Sequence, residues 1–271
     1  TTENLLMYEN RIVAFIDILG FGALVEESAE NIDVAQTILS ALTSMLPENL
    51  QKEAEATLNY DRIPADQVAI AEEVLAKFNE NVKESYQIDI SFFSDCIVLS
   101  ALTDNVMSKQ MLLDIVGKFS MRLWSENRLL LRGGFAVGKL YHVNGGPVFG
   151  PAMNRAYYLE SKLAKNPRIL IDPDCVTELR KETSFKVFES FIQEDDTGDV
   201  YSSLSTIYRH YINDSSFAWN GATVLQDFKS EFFSMSQIIE KRITEFSDDR
   251  IIEKYSWMLS DIALIAPDIK P

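Results

Sequence analysis

Two aspartates set in apolar runs are the residues best suited to do chemistry. Asp17 interrupts Ile12-Val13-Ala14-Phe15-Ile16-Asp17-Ile18-Leu19 and is followed by Gly20-Phe21-Gly22. Asp95 follows Ser94 in the middle of residues 88–101, a stretch dense in Ile, Phe and Val. A carboxylate among buried side chains is costly to desolvate unless it is paired or holds a metal ion. Two carboxylates brought together repel, and one is driven toward its protonated form unless cations intervene. Oxygen-only ligands suit hard divalent ions, Mg²⁺ or Mn²⁺, and a pair of such ions makes a clamp for phosphoryl transfer. The glycines after Asp17 let the backbone turn tightly and bring N–H groups close to an anion. Taken alone, the stretch reads more simply: Asp17 is a strand-end residue that caps the next helix.

The elements that must position these carboxylates follow from periodicity. Residues 12–22 read as a buried strand closed by a turn. The later part of 23–45 has helical spacing through Ile32, Ala35, Ile38, Leu39 and Leu42, and Pro47 stops it. Residues 47–66 read as a polar loop or insertion, and 66–86 as a helix with Val68, Ile70, Val74, Leu75 and Phe78 on one face. Residues 88–101 read as a tight hairpin with Asp95 at or beside its tip. A helix over 104–127, capped by Asp104 or Thr103, turns Met107, Met111, Leu112, Ile115, Phe119 and Leu123 inward. A strand over 129–137 is broken by Gly133-Gly134, and 138–151 is a glycine-rich turn region around Val148-Phe149. A helix over 153–165, a strand at 169–171 and a helix over 173–180 opened by Asp172-Pro173 follow. Residues 185–192 and 200–204 flank Asp195-Asp196-Thr197-Gly198 as a hairpin. From about 206 onward the strands stop, and 225–246 and 250–265 are helical, their phenylalanines core or dimer contacts. The order predicts an α+β sandwich with helices on one face of a largely antiparallel sheet. In a split βαβ arrangement the first strand lies beside the hairpin, which brings Asp17 to Asp95.

Composition sets the bounds. A chain of 271 residues, 46% hydrophobic, can bury a full core. A net charge of −16 argues against nucleic-acid or anionic-membrane binding, which needs a basic face. A small anionic substrate stays open, because a local metal site overrules the global sign. Cys96 and Cys175 lie far apart with no CxxC spacing, so neither a zinc site nor a disulfide framework is expected and a reducing cytoplasm fits. No run approaches a membrane span and no signal pattern opens the chain, so a cytoplasmic location is expected.

Four motifs, in order over residues 11–175, resemble those of class III nucleotidyl cyclases. Phe15-Ile16-Asp17-Ile18-Leu19-Gly20-Phe21 is similar to their first-strand motif, and Phe93-Ser94-Asp95 to their hairpin Gly-Asp, with serine for glycine. Leu131-Arg132-Gly133-Gly134-Phe135-Ala136-Val137-Gly138 resembles their next strand, and Phe149-Gly150-Pro151-Ala152-Met153-Asn154 the start of their catalytic helix. The match continues through Leu159-Glu160-Ser161 and Ile169-Leu170-Ile171-Asp172. The resemblance implies a ferredoxin-like βαββαβ catalytic domain over 11–205, with an insertion at about 47–86, and a C-terminal helical extension over 206–271. It also implies that Asp17 and Asp95 hold two divalent cations, Mn²⁺ or Mg²⁺, with help from the Ile18 carbonyl. Backbone N–H groups of Leu19, Gly20, Phe21 and Gly22 would cradle a triphosphate. Asn154 would orient the ribose from the partner subunit of a head-to-tail homodimer with sites at its interface. The implied reaction would be in-line attack of the ribose 3′-oxygen on the α-phosphorus with loss of pyrophosphate.

The departures carry as much information. Where the family has a transition-state arginine, four residues after the asparagine, this chain has Tyr158. Arg155 lies about 100° around the helix from Asn154, and Lys162 shares the face of Asn154 and Tyr158. Arg132 reads as a structural brace. At the base-reading positions stand Ser91 and Pro147, neither the adenine nor the guanine pair, so a purine would lack its discriminating hydrogen bonds. This pattern resembles the pyrimidine cyclases of bacterial Pycsar antiviral defence. It implies a uridylate cyclase making 3′,5′-cyclic UMP as a second messenger for a separate cyclic-nucleotide-activated effector. Cytidylate or purine cyclase activity, and a catalytically inactive nucleotide- or partner-binding regulator, remain open. His142 reads as a polar loop residue, His210 as surface, and Cys96 as a buried strand residue.

Overall fold

A computed structural model describes residues 8–46, 87–213 and 221–269, with scattered residues between 47 and 86. Most of the expected insertion and of the helix over 66–86 lies outside the described residues. The chain runs β1 (Glu9–Leu19), α1 (Phe21–Ser28), α2 (Ile32–Thr43), β2 (Ile88–Phe93), β3 (Cys96–Leu102), α3 (Val106–Asn127) and β4 (Leu130–His142). It continues with β5 (Val148–Phe149), α4 (Pro151–Tyr158), a π-turn (Leu159–Leu163), β6 (Arg168–Ile171), α5 (Pro173–Arg180) and a 3₁₀ segment (Thr183–Phe191). The hairpin β7 (Gln193–Glu194) and β8 (Val200–Ser203) leads into α6 (Leu204–Asn213), α7 (Gly221–Ile243) and α8 (Asp249–Ile265). The sheet order is β2-β3-β1-β4-β6-β8-β7, with β5 paired to β4. Only the β4–β6 pair is parallel among the described strands. The order β4-β1-β3-β2 is the split βαβ arrangement, a mixed α+β fold with β1 beside the hairpin.

The two faces of β1 have different fates because side chains alternate along a strand. Ile12, Ala14, Ile16 and Ile18 enter the main core with Ile97, Leu99, Phe135 and Ile171, covered by α3 and the C-terminal helices through Trp124, Tyr208, Phe232 and Met258. Val13 and Phe15 form a smaller cluster on the other face with Val98, Ala136 and Leu140, covered by Ala152 and Ala156 of α4. Helices therefore lie on both faces, not on one. No described helix is long and apolar enough to cross a membrane.

Several local expectations are corrected. The cap of α3 is Asn105, whose side chain accepts from the Ser108 N–H at 2.9 Å, so neither Asp104 nor Thr103 performs it. Met107 then lies on the solvent side of the first turn, exposed, while Leu112, Ile115 and Phe119 are buried. Residues 185–191 are 3₁₀ helix, in which Phe185, Phe188 and Phe191 pack on the core at every third residue, a period an alternating strand cannot give. The hairpin arm is only Gln193–Glu194. His210 is buried, its Nδ1 at 2.9 Å from Ser190 Oγ, because α6 is an internal helix with Ile207, Tyr208 and Tyr211 also in the core. β4 is unbroken from Leu130 to His142, and its glycines are points of close approach. A Cβ at Gly133 would lie 2.5 Å from the Phe15 carbonyl oxygen, and one at Gly134 2.5 Å from that of Ala156.

Gly134 thus sets how closely α4 lies on the sheet. Gly134→Ala should destabilise the fold by about 1–3 kcal/mol, as overpacking against backbone does. The check is the urea unfolding midpoint, and an unchanged midpoint would mean that α4 is not seated this tightly.

Candidate functional site

Strand register places the site. Asp17 on β1 pairs with Cys96 on β3 and with Arg132 on β4. Directly paired residues of antiparallel strands project to the same face, so Cys96, Asp17 and Arg132 form one row across three strands. They share the face of Val13, Phe15 and α4. The Ile18 N–H donates to the Asp95 carbonyl at 3.0 Å and ties the β2–β3 hairpin tip to the end of β1. Ser94 at that tip has φ +59°, a left-handed conformation that favours glycine and fits the serine-for-glycine departure noted in the sequence. As a result Asp17, Asp95 and Cys96 each offer a ligand atom within 4.8 Å of the other two. The two sequence-selected carboxylates are brought together, and Cys96 joins them as a half-buried neighbour.

Arg132 is part of this site, not only a brace. Its Nη2 donates to Asp17 Oδ2 at 3.0 Å and lies 2.5 Å from Glu160 Oε1. Glu160 is buried and is presented by the π-turn, where the Ala164 N–H donates to the Leu159 carbonyl at 2.7 Å. Single π-turns cluster at functional sites. Sequence reasoning had only the Leu159-Glu160-Ser161 match as a signal for it, because a helical periodicity cannot show a widened turn. The same widening takes Lys162 off the simple helical face inferred for it with Asn154 and Tyr158.

Electrostatics at the row follow from burial. Asp17 is raised above its ordinary value by desolvation, against the pull of Arg132 and with a further push from Asp95. Glu160 is raised by burial, again opposed by Arg132. Burial and the charges of Asp17 and Asp95 push the Cys96 thiol up to about 12, so without a metal it is a neutral thiol. The donor set therefore fits a divalent cation: two carboxylates side by side, short of positive charge, with the one guanidinium in contact shared between Asp17 and Glu160. Asp17 and Asp95 would hold it.

The remaining sequence-selected residues surround this row. Gly20, at φ +86°, turns the chain into α1, which no side chain caps. The backbone after Leu19, through Gly20, Phe21 and Gly22, thus leads directly from the Asp17 strand into a helix N-terminus, where N–H groups lack intrahelical partners. Ile18 and Phe21 are themselves buried. Asn154 and Tyr158 are exposed on α4. Arg155 ion-pairs with Asp172 and lies 5.6 Å from the Tyr158 ring centre.

At the other end of the same face, Ser91 is buried and bonded at 2.8 Å to the Gly146 carbonyl, next to the exposed Pro147. The two base-position residues are therefore neighbours. His142 is corrected from a loop residue to a buried end of β4. Its Nε2 lies 3.0 Å from Ser91 Oγ and its Nδ1 2.8 Å from Ser100 Oγ, which accepts from Arg11 Nε at 2.9 Å. The hydrogen bonds run in one direction only. The Ser91 proton goes to the Gly146 carbonyl, so Ser91 must accept from Nε2–H, and Nδ1 must accept from Ser100. His142 is neutral in this network, and burial together with the nearby Arg11 charge lowers it to about 4.

No protein-family model matches the chain, and no curated protein matches it. Among solved structures, the chain is similar to the adenylyl cyclase CyaB of P. aeruginosa at 17% identity and TM-score 0.42, covering 72% of this chain and 94% of that one. It is also similar to the monomeric guanylyl cyclase domain of the RhoGC fusion protein of Blastocladiella emersonii, at 13% identity and TM-score 0.37, covering 72% and 95%. A third is the adenylate/guanylate cyclase/hydrolase of Silicibacter pomeroyi, at 14% identity and TM-score 0.37, covering 73% and 98%.

The His142 network predicts a pH signature. Its folded value of about 4 lies below the ordinary 6.5, so the unfolded chain binds the extra proton between these limits. Stability from this group is complete above pH 6.5 and is lost as pH falls toward 4. His142→Gln should remove that component, so the thermal midpoints of wild type and variant should converge on acidification. A constant difference would show that His142 does not titrate this way.

Proposed function

We propose that this chain is a metal-dependent nucleotidyl cyclase that converts UTP to 3′,5′-cyclic UMP and pyrophosphate. It would act as a homodimer and supply a second messenger for a separate effector in antiphage defence. One observation carries the catalytic reading: β-register and the Ile18–Asp95 bond hold Asp17 and Asp95 together at the end of an otherwise apolar strand. Two carboxylates held this close repel, with Arg132 bonded to Asp17 alone of the pair, and a divalent cation offsets that repulsion.

Each residue then has a task that its position allows. Asp17 and Asp95 hold the divalent ions, Mn²⁺ or Mg²⁺, which when bound offset phosphate charge and lower the pKa of the ribose 3′-hydroxyl. The family resemblance adds the Ile18 carbonyl as a further oxygen ligand. The N–H groups of Leu19 to Gly22 at the uncapped start of α1 bind the triphosphate. The 3′-oxygen forms its bond to the α-phosphorus as the bond to pyrophosphate breaks, and the 3′-proton leaves to solvent. Asn154 faces outward on α4, where it can orient the ribose of a nucleotide held mainly by a second copy. That is the geometry a composite dimer site needs. Ser91 and Pro147 border the base. With the Ser91 proton committed to the Gly146 carbonyl, this position has no hydroxyl donor left to offer, whatever base is bound.

The uracil preference rests on the sequence pattern at Ser91 and Pro147 and on its likeness to the Pycsar cyclases; CTP is the alternative substrate. A catalytically inactive nucleotide-binding regulator is favoured by one observation, Tyr158 standing where a cation is expected while Arg155 is spent on Asp172. The retained acids oppose it.

Incubation with each of the four nucleoside triphosphates and Mn²⁺ should give one cyclic pyrimidine product and pyrophosphate, and no turnover of any of them would refute the enzyme reading. Asp17→Ala should lower turnover by at least about a hundredfold, the scale of losing a group that acts at the transition state, and leave the fold intact. Mixing Asp17→Ala with Asn154→Ala protein should restore part of the activity, because a mixed dimer rebuilds one complete site. No recovery after demonstrated subunit exchange would contradict shared sites.

A further inference from the structure

We propose that Arg132 is the resident counter-ion of the Asp17 site. In the metal-free protein its guanidinium stands in for a divalent cation, and Glu160 is the seat that retains it when the cation arrives. The inference rests on the reading of Asp17 and Asp95 as metal ligands.

The contact is built for exchange. A guanidinium locked onto one carboxylate uses two parallel N–H bonds, which are strong and geometrically specific. Arg132 instead spends a single nitrogen, Nη2, on both Asp17 Oδ2 at 3.0 Å and Glu160 Oε1 at 2.5 Å. Its Nε is buried and has no hydrogen-bond partner, so the inner edge of the group contributes no further hold. The two seats are unequal. The Glu160 contact is shorter, and the Glu160 side chain is 5% exposed against 15% for Asp17. Asp17 is therefore the end from which Arg132 can withdraw while it stays paired.

Charge points the same way. Asp17 and Glu160 share one guanidinium, while Asp95, beside Asp17, has no ion-pair partner among the described residues. Negative charge therefore exceeds the positive charge in contact with it, as a cation site requires. Register makes the placement obligatory, since Asp17 and Arg132 are paired across β1 and β4. A half-buried guanidinium released from Asp17 stays neutralised by Glu160, so the exchange strands no charge.

The test is Mn²⁺ binding to the nucleotide-free full chain, read from the electron paramagnetic resonance signal of free Mn²⁺. If Arg132 competes with the ion, Arg132→Gln should bind Mn²⁺ about fivefold more tightly than wild type, the scale of one partly exposed ion pair. Glu160→Gln, which leaves Asp17 as the only charged partner of Arg132, should bind it more weakly by a similar factor. Equal or weaker binding by Arg132→Gln, or tighter binding by Glu160→Gln, would overturn the proposal and make Arg132 a support for Asp17. Should Arg132→Gln fail to fold by circular dichroism, the opposite-signed Glu160→Gln measurement decides alone. Asp17→Asn separates the two levels: if it binds Mn²⁺ as wild type does, the metal site itself is misplaced and this proposal falls with it.

Discussion

The register of β1 is the constraint on which the rest depends. Pairing Asp17 with Cys96 on one side and Arg132 on the other fixes a polar row across one end of an apolar sheet. A slip of one residue would turn every β1 side chain to the opposite face. Asp17 would then enter the main core among Ile97, Phe135 and Ile171, and Ile16 and Ile18 would face α4. The cost of burying a carboxylate there disfavours any slip by an odd number of residues. The apolar residues that specify the fold and the carboxylate that specifies the site are therefore held by the same set of hydrogen bonds.

That face is organised as two polar ends joined by an apolar middle. At one end the acids, Arg132 and Glu160 make a site short of positive charge. At the other, Arg11, Ser100, His142 and Ser91 form a directed chain in which each hydroxyl proton has one destination. Between them Val13, Phe15, Val98 and Ala136 carry α4 at the close distance that Gly134 permits. The exposed Asn154 and Tyr158 are presented on α4.

Much of this was legible in the sequence, for physical reasons that differ by residue. Asp17 and Asp95 stand out because a carboxylate in a strand of Ile, Val and Phe conflicts with its surroundings, and such conflicts mark sites. The hairpin was readable because Ser94-Asp95 is the only adjacent pair of turn-forming polar residues in its run. Arg132 and Glu160 were not readable as partners, since a strand arginine and a helix glutamate are each ordinary until register and a π-turn bring them to one carboxylate. His142 was hidden by the glycines around it. Gly138 and Gly145 suggested a loop, whereas β4 continues to His142 and pairs with β5. Gly133 and Gly134 misled in the same way: glycine marks a close approach as well as a break, and only the neighbours Phe15 and Ala156 distinguish them.

The central claim is that Asp17 and Asp95 hold a cation jointly. Anomalous diffraction from crystals of the full chain grown with Mn²⁺ tests it directly. The account predicts a manganese peak in coordination distance of both carboxylates, with Arg132 withdrawn toward Glu160. A peak bound by one of them alone, or no peak while Arg132 stays on Asp17, would contradict it.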